Sequence, residues 1–321
     1  ISYFGPDGTK ITFPRTVNAL PEPPKEIKIH PYGVEFGILL RMLGSTKSRN
    51  VSSFLVNEFS SVGQTSAHEI CSTAKVNADA KPGELTRDDV EKLLKAMQTV
   101  KIQRPPTDCL SPIGQVELEK SLKKEYPDAT FVTTVTREPA VYRGNPFQIE
   151  VGIVYGIGNA DDQVEILRFA NRVPLLYQAG ACATIESMKD TDWKRYGHSI
   201  IGQPKNNLPT GPMIVVIHMS SVWVPFISES KEAIAPYPEI VKEMKLALQD
   251  AGRNLSRYLS GIRRAGEQQR RLKMFERYAG EVISALHILT TKDEKQIEKK
   301  FKELIDKRTK VKEPVKEEVK T

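Results

Sequence analysis

PMIVVIHMSSVWVPFISESKEAIA, residues 212–235, decides the fold. Its first ten residues form a short, β-branched apolar run suited to a buried strand. A helix of unusual length opens just beyond its end. From about Pro238 through Gly261, residues Ile240, Met244, Ala247, Leu248, Ala251, Leu255, Leu259 and Ile262 recur on one helical face. Helical propensity persists through 266–289 and 293–307, with breaks expected at Gly266, Gly280 and the Thr290-Thr291 pair. Lys231 is left in the loop between strand and helix.

Working outward, ATFVTTVTRE (129–138) and FQIEVGIVYG (147–156) are strand-rich around a turn at Tyr142-Arg143-Gly144-Asn145-Pro146. VEILRFANRV (164–173) reads as a helix running into a strand. Composition changes at about Tyr126, and what precedes it is helical. Val34–Leu43 has a helical apolar face. A short helix then breaks at Ser61-Val62-Gly63, before a helix with Ala67, Ile70, Cys71 and Ala74 inward. Thr86 is the expected N-cap of the next helix, with Asp88 and Asp89 favoured by its first-turn dipole and Val90, Leu93, Leu94 and Met97 as the buried stripe. The prolines of KIQRPPTDCLSPIG (101–114) end this helical part, and a helix from Gln115 to Lys124 leads out. At the start, ISYF and KITF flank Pro6-Asp7-Gly8-Thr9 as a hairpin, followed by a proline-rich connection. KVKEPVKEEVKT (310–321) has no apolar face and is expected to be disordered.

A length of 321 residues makes two or more domains the expectation. Hydrophobic residues at 39% and charged residues at 27% suit soluble globular domains, and no run approaches the roughly 20 apolar residues of a membrane span. A net charge of +7 permits an acidic partner but also suits a solvated basic surface. Cys71, Cys109 and Cys182 are far apart without a CxxC pair, which points to a reducing compartment and small buried side chains. The chain enters directly on a strand, so the expectation is that it begins inside a longer protein.

Several motifs carry chemistry, each with a plainer reading beside it. Gly63 and Gln64 open a helix after a glycine turn, where backbone amides can meet a phosphate; the plainer reading is a packing unit. YGIGNADD (155–162) lacks the third glycine and the lysine of a phosphate loop, so Asp161 and Asp162 read as caps of a following helix. The five histidines have no metal-ligand spacing, and His218 reads as a hydrogen-bonded core residue. Lys205 and Lys231 flank the buried strand in loops, where a flexible ammonium can reach a terminal phosphate; ordinary solvent exposure is the alternative. Arg263, Arg264, Arg270, Arg271 and Lys273 form a basic stretch that can face DNA or simply water.

RFANRVPLLY (168–177), the stretch 211–240 and FPRTVNALPEPPKEIKIHPYGVE (13–35) together resemble the B subunit family of archaeal DNA topoisomerase VI, a type IIB topoisomerase. The resemblance implies a multi-domain α+β chain: the end of an ATPase domain at 1–29, a small helical helix-two-turns-helix domain at 30–113, an α/β transducer domain with a long C-terminal helix at 114–274, and a helical extension and tail at 275–321. It also implies that Lys231 is the switch lysine to the ATP γ-phosphate, with Lys205 as fallback. Further implications are ATP and Mg2+ as cofactors of the full subunit, B-subunit dimerisation through the ATPase domain, an A2B2 heterotetramer with the DNA-cleaving A subunit, double-stranded DNA as partner, and a cytoplasmic location. The departure from the family pattern is that no N-box helix, DxGxG or glycine-rich ATP lid stands in these residues, so the chain alone is expected neither to bind ATP tightly nor to hydrolyse it or cleave DNA. The competing reading is a stand-alone nucleic-acid-binding scaffold in which Lys231 meets no nucleotide.

Overall fold

The computed structural model describes residues 1–15, 23–197, 202–205, 208–290 and 293–309. They fall into two compact units, Ile1–Gly252 and Arg253–Thr321.

In the first unit, β1 (Ser2–Phe4) and β2 (Lys10–Thr12) form the expected hairpin, with Tyr3 opposite Ile11. A helical layer follows: α1 (Phe36–Ser45), α2 (Val51–Glu58), α3 (Gln64–Ala74) and α4 (Arg87–Thr99). Its core gathers Leu39, Phe54, Leu55, Phe59, Ile70, Leu93 and Met97. Ala67, Ile70, Cys71 and Ala74 are the buried residues of α3, as their spacing requires. Thr86 caps α4 by accepting from the Asp89 N–H at 3.2 Å, while the Asp89 carboxylate accepts the Thr86 N–H at 3.1 Å.

α5 (Gln115–Glu125) then leads into β3 (Phe131–Thr136), β4 (Ala140–Tyr142), β5 (Asn145–Tyr155), β6 (Glu165–Ala170) and β7 (Val173–Pro174). After α6 (Ala183–Asp190) and α7 (Lys194–Gly197) come β8 (Gly202–Lys205), β9 (Leu208–Thr210) and β10 (Met213–Ser221). β10 lies between β5, which it pairs antiparallel, and β6, which it pairs parallel, giving the order β3-β5-β10-β6-β7 with β4 on β5. All nine residues of β10 are buried, which accounts for the apolar run Met213–Ile217 at its start. α5 covers one face through Leu118 and Leu122 against Val154, Ile214 and Val216. The approach is close at Gly152, where a Cβ would stand 2.5 Å from Leu122 Cδ1.

Three expectations are corrected. VEILRFANRV is no helix: β6 pairs with β10, and Asn171-Arg172 turns the chain into β7. No helix follows Asp161 and Asp162; Asp162 Oδ2 closes a turn by accepting from Asn159 N–H and Nδ2 at 3.2 and 2.8 Å. Finally, α8 (Pro238–Thr290) runs 53 residues through Gly261, Gly266 and Gly280 without a break. Each glycine weakens a helix by only about 1 kcal/mol relative to alanine, less than the surrounding good formers supply. Ile240, Met244, Ala247, Leu248 and Ala251 are buried as expected, whereas Ile262 is half exposed. The part of α8 up to Gly252 belongs to the first unit, and the remainder belongs with α9 (Glu294–Thr309) to the second. The tail 310–321 and Thr291 lie outside the described residues.

Candidate functional site

Lys231 sits at the tip of the loop that joins β10 to α8. The loop closes by pairing Phe226 with Ile234, and the Ile227 N–H donates to the Ala233 carbonyl at 3.0 Å. Within the tip, the Lys231 N–H donates to the Ser228 carbonyl at 3.1 Å and the Ser228 and Ser230 hydroxyls are 2.7 Å apart. Lys231 takes a φ of +56°, a left-handed conformation that costs a side-chain-bearing residue about 1 kcal/mol or more.

The loop's base is fixed while its tip is wet. Ala233 and Ile234 are fully buried, and Lys231 is exposed. The Ile234 carbonyl accepts from the Ala183 N–H at 2.8 Å, and the Ile234 N–H lies 3.4 Å from Cys182 Sγ. Thr184 Oγ1 also donates to that sulfur, at 3.1 Å. The start of α6 therefore grips the residue three places after Lys231. Cys182 is one of three free, buried cysteines; burial pushes the Cys71 and Cys109 thiols up.

The other end of the segment is pinned at Ser221. Its N–H donates to Asn171 Oδ1 and its carbonyl accepts from Asn171 Nδ2, both at 2.9 Å. Behind this lies a buried ionisable pair. Glu150, fully buried on β5, accepts from His218 Nδ1 at 2.7 Å, the Ile113 N–H at 2.7 Å, the Gly114 N–H at 2.8 Å and Thr136 Oγ1 at 3.1 Å. His218 Nε2 accepts the Arg172 N–H at 3.0 Å, which puts the imidazole proton on Nδ1. Burial alone would raise the Glu150 carboxyl, but the hydrogen bonds from His218, Ile113 and Gly114 outweigh it and hold it below its ordinary value. His218 thus takes the core hydrogen-bonded role expected from its strand.

The remaining candidates stand elsewhere. Lys205 is the last residue of β8, opposite Leu208. Gly63 is the N-cap of α3, and Gln64 Oε1 accepts from Ser52 Oγ at 3.4 Å. Arg263, Arg264, Arg270 and Arg271 are exposed on α8 in the second unit, where the seven-residue spacings 263–270 and 264–271 place them on adjoining faces. Among the described residues, no three His, Cys, Asp or Glu side chains come together to hold a metal, and no helix is long and apolar enough to cross a membrane. Sequence reading misses Glu150, Asn171, Arg172 and Cys182. The local signal available is Asn171, a residue type that tolerates the left-handed turn.

The family model for the topoisomerase VI B subunit transducer matches residues 105–271. The type 2 DNA topoisomerase 6 B subunit of Methanococcoides burtonii is 48% identical over 256 residues, covering 79% of this chain and 40% of that protein. The corresponding protein of Archaeoglobus fulgidus is 44% identical over 259 residues, covering 81% and 42%. That of Thermococcus gammatolerans is 36% identical over 351 residues, covering 95% and 61%. The chain therefore spans about two-fifths of the length of the first two of these relatives.

Proposed function

Because the chain belongs to the topoisomerase VI B subunit family, in the part that includes the transducer, we propose that it relays the state of ATP to a DNA-cleaving A subunit in a type IIB topoisomerase. That enzyme would relax and decatenate DNA by double-strand passage. In this reading 1–29 close an ATPase domain, 30–113 form a helix-two-turns-helix domain, 114–274 are the transducer and 275–321 an extension. The assembly is an A2B2 heterotetramer, dimerised through the ATPase domains and acting on double-stranded DNA in the archaeal cytoplasm.

The observation that carries the reading is the placement of Lys231 on an exposed tip whose base is locked into the core. ATP supplies a terminal phosphate that is attached only before hydrolysis. Lys231 fits a charge-assisted contact to it: the residue is exposed and makes no ion pair with a described residue. The rest of the nucleotide pocket, and the ligands for Mg2+, would come from residues outside this chain. The contact favours one arrangement of the Lys231 loop, and the Cys182–Ile234 grip passes that preference to α6 and the sheet instead of letting the loop absorb it.

Gly63, Gln64, Arg263, Arg264, Arg270 and Arg271 are the proposed DNA contacts, of the salt-sensitive, sequence-independent kind. Lys231→Ala in the full-length protein, assembled with the A subunit, is expected to lower both ATP turnover and relaxation by about tenfold or more. Unchanged rates in both assays would remove Lys231 from the mechanism and make Lys205→Ala the next variant to measure.

A further inference from the structure

The two-residue turn between β6 and β7 is built at a cost. Asn171 and Arg172 have φ of +47° and +67°, the pattern of a tight hairpin turn whose second position favours glycine. An arginine there pays about 1 kcal/mol in backbone strain, and its side chain is used. Arg172 Nη2 donates to the Ser111 hydroxyl at 3.1 Å and the Pro112 carbonyl at 2.8 Å. These residues lie in the linker between the helical layer and α5. The next two linker amides, Ile113 and Gly114, are the ones held by Glu150, and Gly114 has a φ of +93° that requires glycine.

On its other side the same turn grips the end of β10. Asn171 exchanges two hydrogen bonds with Ser221 and donates its N–H to the Met219 carbonyl at 2.8 Å, while the Arg172 N–H reaches His218. One turn thus joins the strand end from which the Lys231 segment departs to the linker that leads back to the helical layer. A cleft of about 590 Å³ opens beside it, lined by Lys25, Ser111, Asn171, Arg172, Ser220 and Val222 among others, so this joint is backed by solvent on one side.

We infer that the Asn171–Arg172 turn couples the Lys231 segment to the helical layer, with Arg172 as a positioning residue. This rests on the reading of Lys231 as the ATP-sensing lysine. Movement of the β10 end would be carried through Asn171 and Arg172 to residues 111–114, while the buried Glu150–His218 pair keeps the two hydrogen-bonded registers aligned. Arg172 touches no nucleotide in this scheme.

The test uses the full-length protein assembled with the A subunit. Hydrogen exchange of the 108–116 segment is measured with and without a non-hydrolysable ATP analogue, and ATP turnover is measured with and without DNA. Arg172→Gly relaxes the turn while deleting the guanidinium. The wild-type protein is expected to show at least about a threefold change in exchange on adding the analogue. Arg172→Gly is expected to lose that response and the DNA stimulation of turnover, with DNA-free turnover kept within about twofold. Arg172→Lys, which keeps one donor group, should restore part of the response. A full response in Arg172→Gly, or none in the wild type, overturns the coupling. Lys231→Ala separates the two ideas. If it leaves turnover intact while Arg172→Gly still silences the linker, Lys231 falls and the joint stands. If it cripples turnover while Arg172→Gly leaves the linker responsive, the joint falls and Lys231 stands.

Discussion

Arg172 and Lys231 are both long cations in left-handed backbone, one on the turn beside β10 and the other on the loop after it. Arg172 is committed: its main chain serves His218 and its guanidinium holds the linker. Among the described residues, Lys231 is anchored through its backbone and through Ile234, and its side chain is exposed. The same strain therefore serves opposite ends. In the turn it secures a fixed contact, and in the loop it presents a charge for a contact supplied by something else.

The sharpest way to break this contrast is to compare stability losses. Glu150→Ala strips a buried site of the acceptor for four donors and should destabilise the chain by about 3 kcal/mol or more. Lys231→Ala should cost under about 0.5 kcal/mol. Urea unfolding with unchanged slope reads both, and equal losses would end the distinction between committed and free residues. A smaller effect separates the two strained positions directly. Lys231→Gly should gain a few tenths to about 1 kcal/mol by relaxing the backbone. Arg172→Gly should lose about 1 kcal/mol despite the same relief, because two hydrogen bonds go with the side chain.

The smallest expected effect is on pH dependence. His30 is buried at the start of the helical layer, with Nε2 donating to the Gln103 carbonyl at 2.9 Å and Nδ1 accepting the Tyr32 N–H at 3.2 Å. Burial lowers its pKa from the ordinary 6.5, the Gln103 carbonyl opposing in part. A depressed folded value means the unfolded chain binds the proton first as pH falls. His30 therefore contributes fully above its ordinary value, and the contribution is lost as pH drops through the folded value. Glu150 follows the same sign from its ordinary 4.5, so its contribution disappears at more acid pH. His30→Gln should flatten the first decline in a stability-versus-pH series and leave the second.

Local signals are legible where the partners are local. The Thr86–Asp89 cap, the inward face of α3 and the hairpin around Asp7-Gly8 each depend on residues a few positions apart. The site is half legible for the same reason: a buried strand before Lys231 and a helix after it place the loop without any long-range knowledge. β6 reads as a helix because Ile166, Phe169, Ala170 and Val173 fall at helical spacing, while the strand that recruits this segment, β10, is far along the chain. The long-range bonds of Glu150 and Arg172 leave no periodicity to read. An arginine after an asparagine looks like any polar pair until the turn it strains is known. The glycines of α8 are weaker breakers than they look because a single glycine in a long run of good helix formers shifts the balance only slightly.

The position of β10 has a kinetic consequence. Among the described residues it is the last strand in sequence, and it is a central one in the sheet, between β5 and β6. During synthesis, both neighbours exist as open edges before β10 is made, and β5 alone offers eleven residues for pairing with a stranger. Closing the sheet is a non-local and therefore slow event. Because the Lys231 segment follows β10 directly and is tied back through Ser221, its geometry forms only in molecules that have completed that step. A chain stalled before it would be prone to aggregate and unable to present the lysine.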